Sequence, residues 1–144
     1  MSREIKFRAW DNETNKYFEP TYQSYMGSLE ELTIALSGRL QKRTCRGVAD
    51  ESMFHGRYVV EQFTGLKDAN GKEIYENDII KYFGANKRAK IKTTYGIVFY
   101  DSEHGCFNSR IQNEEHNKGG IGPLNDLIVG NVHENPELLE ADNE

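Results

Sequence analysis

The sequence predicts an α+β protein that is mainly β, and three observations carry that prediction. Short apolar runs separated by turn residues fill 57–132, an alternating strand opens the chain, and one leucine stripe at helical spacing lies between them. The expected architecture is an N-terminal hairpin plus helix over 1–60, packed on a small C-terminal β-barrel over 61–144.

Glu4-Ile-Lys-Phe-Arg-Ala-Trp10 alternates, which places Ile5, Phe7 and Ala9 on an apolar face and Glu4, Lys6 and Arg8 on a polar one. Asp11–Asn15 is rich in turn formers, and Lys16–Glu19 returns as the hairpin partner before Pro20 stops the pairing. Ser28-Leu-Glu-Glu31 has the form of a capping box, so a helix is expected to start there. Leu29, Leu32, Leu36 and Leu40, with Ala35, form its apolar stripe, weakened at its end by Gly38. The basic stretch Gln41–Gly47 reads as a turn or loop.

From Gly56 onward the pattern is β. Gly56–Phe63 is a strand that feeds the segment Thr64–Lys81, where Asn70-Gly71 favours positive φ and closes a hairpin between Leu66 and the run Glu73–Tyr75. Glu76-Asn-Asp78 is a second turn, with Asp78 placed to accept from backbone amides, before Ile79–Phe83 resumes the sheet. Tyr95–Tyr100 and Cys106–Ile111 flank Asp101–Gly105 as a further hairpin. Residues 112–123 read as a loop excursion, Asp126–Val132 as the last strand, and Pro136–Glu140 as a short helical turn with proline at its start. Both faces of 79–83 and 97–100 are apolar or aromatic, a pattern that fits self-association and an intramolecular interface equally.

At 144 residues the chain suits one ordinary domain or two small lobes, and its mean hydropathy of −0.76 is offset by eight Tyr, seven Phe and one Trp that can anchor a core. The net charge of −5 repels nucleic acid and anionic membranes overall, so contact with either has to be local. No apolar run is long enough to span a bilayer, and the start has no signal-peptide core, so a cytoplasmic location is expected. Cys45 and Cys106 lack zinc-like spacing and read as thiols of a reducing compartment.

No catalytic constellation, cofactor fingerprint or metal site emerges. Asp68–Glu73 fails as a calcium loop, because Lys72 stands at the third ligand position and Ile79 at the twelfth residue, where a bidentate carboxylate is required; an Asp68 side chain capping the turn's amides fits better. His55, His104, His116 and His133 are scattered, and His104 near Cys106 has no orienting residue that spacing identifies. Lys87, Arg88, Lys90 and Lys92 form a basic run near Tyr82 and Tyr95, with Lys42 and Arg43 as a second cluster. Such groups suit phosphates and stacked bases, although a solvated turn whose lysines discourage edge pairing is the plainer reading.

Four segments, Arg3–Asp11, Phe63–Lys81, Tyr95–Tyr100 and Ile128–Leu139, resemble in order and spacing the YopX family of phage and prophage proteins. Asn77 stands where that family usually has Gly, and Asn also tolerates positive φ. The resemblance implies an SH3-like barrel at the C-terminus, a bacterial or phage cytosolic setting and plausible homo-oligomers, and it supplies no catalytic residue. The functional expectation is a non-enzymatic, self-assembling binding module without cofactors, which contacts a host or phage protein. The alternative is a nucleic-acid-binding accessory protein using the basic loop 87–92.

Overall fold

A computed structural model describes residues 4–23, 27–86, 88, 93–112 and 118–140. Among them the strands are β1 (Phe7–Asp11), β2 (Lys16–Tyr17), β3 (Glu30–Ile34), β4 (Leu40–Thr44), β5 (Gly47–Asp50), β6 (Tyr58–Lys67), β7 (Glu73–Tyr75), β8 (Asp78–Lys81), β9 (Tyr95–Asp101), β10 (Cys106–Ile111) and β11 (Leu127–Asn131). Two 3-10 turns, Glu51–Met53 and Pro136–Leu139, are the helical segments described. The three antiparallel sheets have the orders β2-β1-β6-β7, β3-β4-β5 and β10-β9-β8-β11. By compactness the chain forms two units, Ala9–Val60 and Met1–Arg8 with Glu61–Glu144.

The α+β expectation is therefore overturned: the fold is nearly all β, and the helix expected from Ser28 is absent. Glu30–Ile34 pairs with Leu40–Thr44 as a hairpin, and Gly38 at φ 89 serves its turn instead of ending a helix. Ser28 gives its hydroxyl to the Gln23 carbonyl at 3.0 Å, so the capping box is not made. Leu36, a member of the supposed stripe, is fully exposed at the hairpin tip. Strand pairing wins because Thr33 and Ile34 are β-branched and because the charges match across the strands. Glu31 stands opposite Arg43, with a carboxylate oxygen 2.9 Å from the guanidinium, and Lys42 reaches Glu30 at 3.1 Å.

Within the same unit, Trp10 pairs with Tyr17 at a ring separation of 5.1 Å, as the first hairpin requires. Arg57 holds Asp11 through two bonds of 3.1 and 3.0 Å.

In the other unit the core is Ile74, Ile80 and Val98, each inaccessible to solvent, with Tyr82, Ile121 and Ile128 packed against it. Burial of each such aliphatic side chain contributes on the order of 1.5–3 kcal/mol. β8 has both Ile79 and Ile80 fully buried, so its two apolar faces are covered within the single chain. β10 and β11 lie at the ends of the order of their four-stranded sheet.

The middle segment folds much as its turn residues dictate, with a longer loop. β6 and β7 are joined by Asp68–Lys72, five residues where a two-residue hairpin was expected. Asp68 Oδ1 accepts from the amides of Asn70 and Lys72, both at 2.9 Å, while Oδ2 accepts from the Ile128 amide at 3.0 Å and so ties the turn to β11. Asp78 Oδ2 accepts from the Tyr75 amide at 2.8 Å, and Asn77 adopts φ 69.

Candidate functional site

Two features of the unit that contains Glu61 stand out: a buried ionic cluster and, on the opposite face of β6, an exposed groove lined by both apolar and polar side chains. The register that separates them follows from two backbone bonds, Asn12 N–H to Arg57 O and Phe63 N–H to Lys6 O, both consistent with antiparallel β1 and β6. Arg8 then faces Glu61, while Phe7 lies opposite Gln62 and Ile5 opposite Thr64.

Along β6 the side chains alternate between faces, and the inward pair is Glu61 and Phe63, 1% and 4% exposed. Glu61 Oε1 accepts from Arg8 Nε at 2.7 Å; Oε2 accepts from Asn77 Nδ2 at 2.7 Å and lies 2.7 Å from His133 Nε2. Arg8 also gives Nη2 to Asp78 Oδ1 at 2.8 Å, and its guanidinium lies 4.7 Å from the centre of the Tyr75 ring. Burial pushes the Asp78 carboxyl above its ordinary range, and the nearby guanidinium offsets that only in part. Lys6, bonded to Glu73, has its ammonium 4.9 Å from the Phe63 ring centre. Every group of the cluster is bonded to another, so its chemistry is that of a staple joining four chain segments, those of Arg8, Glu61, Asn77–Asp78 and His133.

At its start the first strand departs from the polarity expected, although Ala9 of the apolar face is buried. Arg8 and Lys6 face inward against rings and carboxylates, whereas Phe7 is 44% and Ile5 58% exposed. Alternation identified the two faces, but which one is covered depended on Glu61 and Asp78, which lie 53 and 70 residues away from Arg8.

On the outward face Gln62, Thr64 and Leu66 of β6 approach Tyr100, Cys106 and Phe107 of the β9–β10 hairpin, enclosing a groove of about 360 Å³. Tyr100 and Phe107 are a cross-strand pair with ring centres 5.3 Å apart, and Tyr100 is half exposed. Apart from the Cys106 thiol, these walls offer apolar contact and neutral hydrogen-bonding groups.

At the tip of the same hairpin, Asp101, Glu103 and His104 bring carboxylate and imidazole atoms within 4.8 Å of one another. Sequence spacing gave no orienting residue for His104; the structure supplies Asp101, 2.9 Å from Nδ1. Asp101 also takes Lys118 Nζ at 2.9 Å and Asn108 Nδ2 at 3.1 Å, and Lys118 reaches Glu103 at 3.2 Å. The lysine holds the Asp101 carboxyl well below its ordinary range and supplies the positive charge that a cation or an imidazolium would bring. The cluster reads as a hairpin brace.

The model of the YopX protein family matches residues 6–140. The chain belongs to the YopX family. A crystal structure of protein EF1440 from Enterococcus faecalis is similar at 27% identity and a TM-score of 0.59, covering 96% of this chain and all of the other. The X-ray structure of protein yopX from Bacillus subtilis shares the fold at 18% identity and a TM-score of 0.56, over 93% of this chain and 97% of that one. No curated protein matches. The stretches that suggested YopX membership meet at the ionic cluster: Arg8 from the first, Asn77 and Asp78 from the second, His133 from the last.

The residues singled out for nucleic-acid or partner contact have diverse placements. Tyr82 is packed on the core with its hydroxyl 2.5 Å from Ser109 Oγ. Tyr95 is half-buried in β9, opposite Lys81. Arg88 is exposed. Lys87, Lys90 and Lys92 lie outside the described residues, as does His116. Lys42 and Arg43 belong to β4 in the other unit, where each faces a glutamate. Among the described residues, no helix is long and apolar enough to cross a membrane.

Proposed function

We propose that this YopX-family protein is a non-enzymatic binding module that assembles with further copies of itself through the outward face of β1 and β6. The observation that carries the reading is the run of bulky apolar side chains on that face. Ile5, Phe7, Leu66 and Tyr100 are 58%, 44%, 37% and 50% exposed; Leu66 and Tyr100 line the groove with Phe107, and Ile5 and Phe7 stand opposite Thr64 and Gln62 of its wall. Such a face loses its water most fully against another like it, and a second copy presents the same residues in the same order. The buried acids and bases nearby are engaged in structural bonds, which favours adhesion over catalysis. A phage or prophage origin and action in the bacterial cytosol belong to the same reading, by way of the family.

Size-exclusion chromatography with light scattering tests it. The wild-type chain is expected to run as an oligomer at micromolar concentration, and Phe7→Glu with Tyr100→Glu to run as a monomer with an unchanged circular dichroism spectrum. A wild-type chain that stays monomeric at high concentration overturns the proposal.

A further inference from the structure

We infer that Phe83, together with Arg88, is a contact for single-stranded nucleic acid, distinct from the self-association face. Phe83 has φ 58, a left-handed conformation that a bulky aromatic residue rarely adopts. Two bonds impose it. Asp126, 4% exposed, accepts from the Phe83 amide at 3.0 Å through Oδ1, and Asn125 O accepts from the Ala85 amide at 2.9 Å. Asp126 is itself fixed, since its other oxygen accepts from the Gly122 amide at 2.7 Å.

Burial does not repay this conformation, because Phe83 is 45% exposed while the preceding Tyr82 fills the core. The fold thus spends a buried carboxylate on holding an aromatic ring at the surface. Charge indicates what meets the ring. Between Asp78 and Asp101 the sequence carries Lys81, Lys87, Arg88, Lys90 and Lys92 and no acidic residue, in a chain whose net charge is −5. Arg88 is exposed, and its amide bonds to Asn86 Oδ1 at 3.0 Å in the turn that follows Phe83. An exposed ring within a stretch of sequence rich in cations suits a ligand that alternates flat apolar surfaces with anions, as unpaired bases alternate with phosphates. A duplex keeps its bases stacked inside and offers the ring nothing. The aromatic partner is therefore Phe83, while Tyr82, which the sequence suggested, is withdrawn into the core.

Fluorescence anisotropy with the full chain and a labelled oligothymidylate at about 50 mM salt tests this. Wild-type protein is expected to bind the strand more tightly than a duplex. Phe83→Gly should weaken strand binding about tenfold without lowering the melting temperature, because glycine accepts the left-handed backbone. Phe83→Tyr keeps a stacking surface and should retain affinity, and Arg88→Gln should reduce the slope of log affinity against log salt by about one. No strand binding at this salt, equal affinity for duplex, or affinity unchanged in Phe83→Gly overturns the inference. Loss of self-association in Phe83→Gly with strand binding intact reassigns Phe83 to a protein interface and overturns it equally.

Discussion

The ring of Tyr82 occupies the space that a side chain at Gly96 would need: a Cβ there would lie 2.1 Å from the Tyr82 hydroxyl oxygen. Gly119 closes the other side, where a Cβ would lie 2.4 Å from the same oxygen. Between these two backbones the phenol reaches Ser109, which in turn donates to the Gly120 carbonyl. Two glycines, one on β9 and one after the excursion that follows β10, thus form a slot for one ring.

Gly96→Ala and Gly119→Ala are expected to destabilise the protein by at least about 1–3 kcal/mol each, the range for overpacking a tight core. The backbone at Gly96 is ordinary, so the cause is the ring alone. Tyr82→Ala combined with Gly96→Ala should therefore cost less than the two single losses summed, which urea denaturation of the four proteins of the cycle measures.

Glu61→Ala removes the acceptor shared by Arg8, Asn77 and His133. It should cost about 3–5 kcal/mol, because a half-buried guanidinium is left facing a vacated carboxylate position. His133→Ala deletes one arm and should cost less. Urea midpoints of both variants check the order.

Acid should destabilise the unit that contains Asp11. The hydrogen bonds from Arg57 lower its carboxyl to about 2 from an ordinary 3.8. A depressed folded-state value contributes stability that is present above pH 3.8 and is lost as pH falls toward 2, amounting to about 2 kcal/mol. Asp78 acts with the opposite sign. Burial raises its carboxyl, so its contribution is present at low pH and is lost as pH rises through the raised value. Thermal melts of wild type and Asp11→Asn across this acid range should converge as pH falls.

Asp68→Ala releases three amides at once, those of Asn70, Lys72 and Ile128. A loss of about 2–3 kcal/mol is expected, near the upper range for hydrogen bonds to a charged group. Hydrogen exchange should accelerate first at Ile128, whose amide depends on the carboxylate across the turn.

The sequence by itself determined the turns and most of the strands after Gly56, because those depend on neighbouring residues: Asp68 and Asp78 cap amides close by, and Asn77 tolerates the φ it needs. It also determined which side chains of β1 share a face. Tertiary structure decided which face is buried, since that required carboxylates from distant positions to meet Arg8. It likewise turned Glu30–Ile34 into a strand, although the leucine spacing had the period of a helix, by setting Arg43 against Glu31 and leaving Leu36 in solvent. Tyr82 and Phe83 are adjacent and similar on paper, and only the slot at Gly96 and the bond to Asp126 assign one to the core and the other to the surface. Local conformation is encoded within a few residues, whereas burial is a relation between segments that meet only after the chain has folded.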